Sequence, residues 1–307
     1  MIAGHATHPS VVSTLFVEHG CEMAHNDNVR HQMKLISGDE TKWGSKVGWT
    51  SVQQDGGIEA VSDIARRWFT GIGKLTPEIP VGASGTSSCV AGGATELVAA
   101  PIATQLIGLH VDSSLSASQR ASIRGFVHQW VTWGGAVVVP ETCPLLSPGA
   151  TPTLRFAEAP SLPRFVSLRE DSAVNPHMCS PGVYVMRCPT KHWIEVLTGL
   201  GATGCSLLLG VTRRNTVQGH PLVPTVICSV EGPVAGIGRS GERDGLGAVG
   251  NPDADVVLPL VNLETSRRGE AIASIVQSVL RGEIVPNTLK QGNTSWQITR
   301  GQVCVSV

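Results

Sequence analysis

A chain of 307 residues with a net charge of −1 and a pI near 6.8 is long enough for two ordinary domains or one large α/β unit, and it offers no electrostatic footprint for nucleic acid or an acidic membrane surface. Its eight cysteines lack CxxC spacing and no secretory leader is evident, so the expectation is a reduced, cytoplasmic protein without a disulfide framework. The longest apolar stretch, 90–111, carries Glu96, Pro101 and Gln105. That makes it a poor membrane span, and it reads as a buried helix or helix pair.

The start, 1–10, shows no helix or strand of full length. An apolar, β-branched run from Val11 to Val17 reads as a buried strand. It is followed by Glu18-His19-Gly20-Cys21-Glu22-Met23-Ala24-His25-Asn26-Asp27, which packs a thiol, carboxylates and imidazoles into one turn. In open α/β sheets ligands collect beyond the carboxyl ends of strands, so this turn is the leading candidate site, with a charged surface turn as the plainer alternative. A polar segment, 28–35, opens a helix. Val47 to Val52 is a second strand, and Ile58, Val61, Ile64, Ala65 and Trp68 mark an amphipathic helix with Asp55 or Gly56 at its cap.

Two prolines make 74–80 the best linker. Pro80 to Cys89 supplies a short strand and a Gly/Ser turn, including Ser84, Gly85 and Ser87, able to aim backbone N–H groups at an anion but lacking the Lys of a P-loop. Ser116 to Gln119 is a capping box for a helix striped by Ile123, Phe126, Val127 and Trp130. Ala136 to Pro140 is a strand with Glu141 at its carboxyl end. The region 146–180 is poorly periodic, with only 164–168 strand-like. Val183 to Cys188 is a strand leading through Lys191-His192 into a helix bearing Ile194, Leu197 and Leu200; Lys191 and His192 can meet an anionic substrate or simply cap a surface helix. Strands follow at 205–211 and 222–230. The GxGxxG match at 236–241 precedes a charged, Gly-rich segment rather than an amphipathic helix, so the dinucleotide reading fails on context. Ile272, Ile275, Val276, Val279 and Leu280 define a final helix stopped at Gly282, and 296–299 and 303–307 look strand-like. The strand, turn, helix rhythm in both halves predicts an α/β fold with layered, mostly parallel sheets flanked by helices, arranged as two Rossmann-like α/β units.

With these residues in view, the chain resembles the altronate dehydratase / galactarate dehydratase family of sugar-acid hydro-lyases. The similarity rests on His8-Pro9 before a strand and Gly20-Cys21-Glu22, on Val52-Gln53-Gln54-Asp55 followed by Ile58-Glu59-Ala60, and on Gly134-Gly135 with Pro140-Glu141. Gly201-Ala202-Thr203-Gly204, Pro221 to Val226 and the ending from Gly282 through Trp296 extend it in the same order. The resemblance implies that 1–76 is the C-terminal remnant of the family's middle domain and 77–307 the family's C-terminal α/β domain. Ser84 and Ser87 stand where the family has Cys and Asp, Lys191-His192 stands where it has Asn-Asp, and a second Gly-Cys turn expected between Leu146 and Val183 has no match.

What the resemblance implies chemically is dehydration of a small-molecule hydroxy acid with a divalent metal, Fe2+ or Mn2+, and no nucleotide. Removing a proton α to a carboxylate needs a base of suitable pKa and a fixed positive charge on the carboxylate. Cys21, Glu22, His25 and Asp27 are the expected metal ligands. His25 or Glu22 is the expected base, with Cys21, Gln54, Asp55 and Glu141 completing the catalytic set. Ser84, Gly85, Ser87, Lys191 and His192 are the expected substrate contacts. Partners implied are a homodimer mate or a subunit carrying a missing N-terminal domain, and the alternative is a non-catalytic homologue serving as a binding or assembly module.

Overall fold

The structure is a computed structural model that describes residues 2–22, 25–37, 44, 46–73, 105–146, 161–162, 181–186, 188, 190–213, 217–230, 254–257 and 265–298. It is an α/β protein of two parallel sheets. The first sheet holds two strands, β1 (Thr14–Glu18) and β2 (Val47–Ser51), aligned in parallel with Phe16 opposite Trp49 and Glu18 opposite Ser51. Parallel strands need a crossover, and helix α2 (Asn26–Ser37) supplies it. On the α2 side Phe16 stacks on Trp49 at 4.6 Å, the Arg30 guanidinium lies 4.8 Å over the Trp49 ring, and Met33 is fully buried with Val47. Helix α3 (Gly57–Gly73) covers the other side, where a Cβ at Gly48 would meet the Trp68 ring at 2.8 Å.

The second sheet has seven strands, all parallel, in the order β5-β6-β4-β3-β7-β8-β9. They are β3 (Leu106–Val111), β4 (Ala136–Pro140), β5 (Ser161–Leu162), β6 (Gly182–Met186), β7 (Leu207–Thr212), β8 (Thr225–Ser229) and β9 (Val256–Val257). Every residue of β3, β4, β7 and β8 is buried, the continuous apolar pattern of a sheet covered on both faces. Ile107, Leu109, Val137, Val139, Leu207 and Leu209 face helices α4 (Ala117–Thr132) and α6 (Thr265–Leu280). Leu106, Val138, Met186, Leu208 and Ile227 face helix α5 (Trp193–Ala202). Chain order runs from β3 outward to β4 on one side and from β7 outward to β8 on the other, so the sheet reverses direction between β3 and β7. A short helix, α7 (Asn287–Lys290), sits against β8.

The two sheets are joined through the N-terminal turn of helix α1 (Ile2–Ala6), which packs on α2 and on α5. Gly4 sits against the Ala202 carbonyl with no room for a side chain. Beside it, His5 and His220 bury almost completely and stack at 5.0 Å with their Nε2 atoms 3.0 Å apart. His220 Nδ1 accepts the Leu222 and Val223 N–H groups, both at 3.1 Å, so its ring proton belongs on Nε2 and is donated to His5. His8 is fixed the same way, its Nδ1 accepting from Ser10 N–H and its Nε2 donating to the Cys205 carbonyl. Trp296 closes the site edge-on to His5 at 5.2 Å.

Four segments fold differently from the sequence reading. Residues 2–6 form a one-turn helix, held by tertiary packing rather than by length. Residues 106–111, assigned above to a buried helix or helix pair, are the central strand β3: a short apolar run has no period that separates a buried strand from a buried helix. Residues 296–298, expected to be strand-like, form no strand. The strand after Val11 begins later, at Thr14, and is half-buried rather than fully buried. The Gly/Ser turn with Ser84, Gly85 and Ser87, the strand-like pieces at 164–168 and 303–307, and the GxGxxG segment at 236–241 lie outside the described residues.

The His220 imidazole has its pKa pushed down from 6.5 to about 3, first by burial and then by the neighbouring His5 and His8. The unfolded chain therefore takes up a proton between pH 6.5 and 3 that the folded chain refuses, and stability falls as pH falls through that window. Urea midpoints converted to unfolding free energy are expected to drop by about 1.5–2 kcal/mol from pH 6.5 to 5 on this account, at most ~1.4 kcal/mol per pH unit. His220→Asn, which keeps an acceptor for the Leu222 and Val223 N–H groups, is expected to lose that slope; an unchanged slope assigns the proton elsewhere.

Candidate functional site

The carboxyl ends of β1 and β2 lie side by side, and the turns that leave them are stitched together. Val52 N–H donates to the Glu18 carbonyl at 2.8 Å and Gln53 N–H to the His19 carbonyl at 3.1 Å. Gly20 takes φ +114°, and a Cβ there would lie 2.8 Å from Gln53 Oε1, so glycine is required both by the backbone and by the neighbour.

Glu22 organises the turn. Its Oε1 accepts His19 N–H at 2.7 Å, and its Oε2 accepts Gly20 N–H at 2.8 Å and Cys21 N–H at 3.0 Å. The backbone N–H groups of Glu22 itself, Gly20, His19 and Cys21 pull its pKa down to about 2. A carboxylate so held is ionised at every working pH, which suits a metal ligand and disqualifies a general base. The same curl brings His19 Nδ1 to 3.1 Å from Cys21 Sγ. His19, Cys21 and Glu22 thus offer a nitrogen, a sulfur and an oxygen within 4.8 Å of one another, with His19 and Cys21 exposed.

The sequence-predicted metal set was Cys21, Glu22, His25 and Asp27. The structure gathers Cys21 and Glu22 with His19 instead. His25 Nδ1 turns to Glu18 Oε2 at 4.0 Å, and the exposed Asp27 pairs with Arg30 at 3.6 Å along α2. Asp55 does not cap α3; its Oδ2 reaches back to Thr50 Oγ1 at 2.7 Å and Ser51 N–H at 2.9 Å, and those two bonds lower its pKa. Gln54 is exposed on the same turn, where Gln53 rather than Gln54 packs against Gly20.

Glu141 belongs to the larger sheet. Its N–H donates to the Met186 carbonyl and its Oε1 accepts Cys188 N–H at 2.8 Å, so it clips the end of β4 to the turn after β6. Lys191 and His192 follow in that turn, both exposed, with His192 at the N-cap of α5 but making no side-chain capping bond. Glu141, Lys191 and His192 therefore share one sheet edge, while Glu141's hydrogen bonds run to Met186 and Cys188 and none to the His19 turn.

Several residues at this edge escaped the sequence reading. At the point where the sheet reverses, Asp112 follows β3 and Thr212 ends β7; Thr212 Oγ1 donates to Asp112 Oδ2 at 3.4 Å, and Arg213 reaches the Ser114 carbonyl at 3.4 Å. The Gln119 amide spans to the Val230 carbonyl at 3.3 Å. Reading 106–111 as a strand is the signal that locates them, since ligands favour such reversal points. Burial pushes the Cys143 thiol up to about 12, and raises Cys188 and Cys228 as well. Among the described cysteines only Cys21 is exposed.

No protein-family model matches the sequence, and no curated protein matches it significantly.

Replacing Gly20 with alanine puts a side chain at positive φ against Gln53. The expected cost is about 1–3 kcal/mol in a denaturation experiment, together with a changed alkylation rate at Cys21, read by peptide mass mapping, as the His19 contact loosens. Wild-type values for both make the turn tolerant and remove Gly20 from its construction.

Proposed function

We propose that the chain is a metal-dependent hydro-lyase that dehydrates a sugar acid or related 2,3-dihydroxy acid to a 2-keto-3-deoxy acid, as its resemblance to the altronate and galactarate dehydratases implies. The observation that carries this reading is the His19, Cys21 and Glu22 donor set at the carboxyl end of a parallel strand pair. The set fits a divalent ion: three donors of different type on one short turn, a permanently ionised carboxylate, and an exposed side left for substrate oxygens. A thiolate among the ligands favours iron or zinc over magnesium or calcium. A divalent ion held there supplies Lewis-acid charge for the substrate carboxylate and hydroxyl oxygens.

The chain's own residues divide the remaining tasks. Glu22 fixes the turn and stays charged, so it neither gives nor takes a proton. His25 is the proton-transfer group, because it is half-exposed at the start of α2 and its Nδ1 faces a carboxylate. The reaction balances as loss of the proton α to the carboxylate, departure of the β-hydroxyl as water after protonation, and tautomerisation of the resulting enol. Lys191 and His192, at the carboxyl edge of the larger sheet, are two exposed groups able to hold an anion.

A second reading, a non-catalytic binding module, draws on the spent carboxylates: Glu22 and Asp55 both serve their own turns. An anaerobic assay with added Fe(II) or Mn(II) against aldonates, aldarates and sulfonated hydroxy acids separates the two by 2-keto acid formation. Turnover is expected, and it is expected to fall by at least about a hundredfold in Cys21→Ser and in Glu22→Gln while the fold is kept. Activity that survives both substitutions removes the turn from the mechanism, and no turnover on any substrate favours the binding module.

A further inference from the structure

We propose that Glu18 is the positioning residue for His25, fixing its neutral ring as the Nδ1–H tautomer so that Nε2 is the atom that exchanges protons with substrate. This rests on the dehydratase reading above and names how its base is built.

Glu18 ends β1 with its side chain only 10 % exposed, whereas the His25 side chain is 45 % exposed. A buried carboxylate behind a half-exposed imidazole is the arrangement in which one ring nitrogen is held inward and the other looks out. The separation of 4.0 Å between His25 Nδ1 and Glu18 Oε2 is longer than a formed hydrogen bond, and such contacts tighten when substrate closes the site. Glu18 is held by Asn26, which also ties the helix start to β2. Asn26 N–H, at the start of α2, donates to Oε2, and the Asn26 amide donates to the Thr50 carbonyl at 3.0 Å, which pins the helix start across both strand ends. His25 directly precedes that helix, so its backbone is anchored to the carboxylate it faces.

Ser51 gives an independent sign that this spot is polar for a reason. It is the register partner of Glu18, so the two side chains leave the sheet on the same face. Ser51 is 4 % exposed, and its hydroxyl has no hydrogen-bond partner among the described residues. Burying a hydroxyl without a partner is costly, and an apolar residue is the cheaper occupant of a purely structural position. Ser51 and Glu18 thus set a hydroxyl and a carboxylate on one face of the strand ends, the face from which His25 is approached. Neither Glu18 nor Ser51 belongs to the His19, Cys21 and Glu22 donor set.

The test reads the ring directly. Nitrogen NMR of histidine-labelled protein at pH 8.5, with His25 assigned by its loss in His25→Gln, is expected to show the Nδ1–H tautomer in the wild type. In Glu18→Gln, which retains an acceptor for Asn26 N–H and therefore the helix start, the Nε2–H form is expected to grow. In the assay above, kcat of Glu18→Gln is expected to fall by about 10²–10⁴ with KM within about threefold, the pattern of a lost proton-transfer orientation. A wild-type His25 in the Nε2–H form overturns the proposal, as does an unshifted tautomer or an unchanged kcat in Glu18→Gln. A tautomer shift without turnover in the wild type instead removes the dehydratase reading, and the proton-transfer role with it.

Discussion

Parallel strands cannot be joined by tight turns, and this requirement shapes the whole molecule. Each strand of both sheets must hand the chain to a crossover before the next can pair, so every described strand delivers its carboxyl end to the same edge of its sheet. Strands β3, β4, β7 and β8 of the larger sheet are buried along their whole length and are mostly apolar. Polar chemistry is thereby forced into the turns at that edge. The His19 and Asp55 turns occupy the carboxyl edge of the smaller sheet, and Glu141, the Lys191-His192 turn, Asp112 and Thr212 occupy that of the larger.

Placement at an edge does not make a residue reactive, and the carboxylates show why. Four sequence-selected acids share the two edges with different duties. Glu22 and Asp55 accept backbone N–H groups of the turns they belong to, and both lose basicity through it. Glu141 joins two strand ends, and Asp27 pairs along its own helix. An acid that satisfies backbone donors lowers the free energy of its turn but forfeits the pKa that proton transfer at neutral pH requires. The turn gains in exchange a fixed shape, which is what holds His19 beside Cys21.

Apolar periodicity made most of the scaffold legible. Trp68 against Gly48, the capping box at Ser116 and Gln119, and the stripe from Ile272 to Val279 follow from spacing alone, because one face of each helix must meet a sheet. β3 was the exception: a strand buried on both sides carries no alternation, and the residues beyond it were missed for the same reason. The site was legible in its composition but not in its partnerships. Counting His19, Cys21, Glu22 and His25 in one turn located the donor cluster, yet which of them converge depends on the positive φ of Gly20 and on Gln53 filling the space beside it. No property of a single position announces such a contact.

The histidines separate in the same way once their hydrogen bonds are followed. His220, at the joint with α1, presents Nδ1 to two backbone donors and Nε2 to His5, leaving no lone pair for a metal and no place for a second proton. Its neutrality is therefore structural, and so is its burial. Ligation at Nε2 needs a proton on Nδ1, aimed at two N–H groups, so this pair cannot serve as a metal site despite its close nitrogens. His19 and His25 are under no such restriction: each has one ring nitrogen engaged at the turn and the other exposed edge of the ring toward solvent. The hydrogen-bond partner on one nitrogen decides what the other can do, and at the end of β1 that decision leaves one nitrogen of each imidazole without a protein partner of this kind and its ring edge toward solvent.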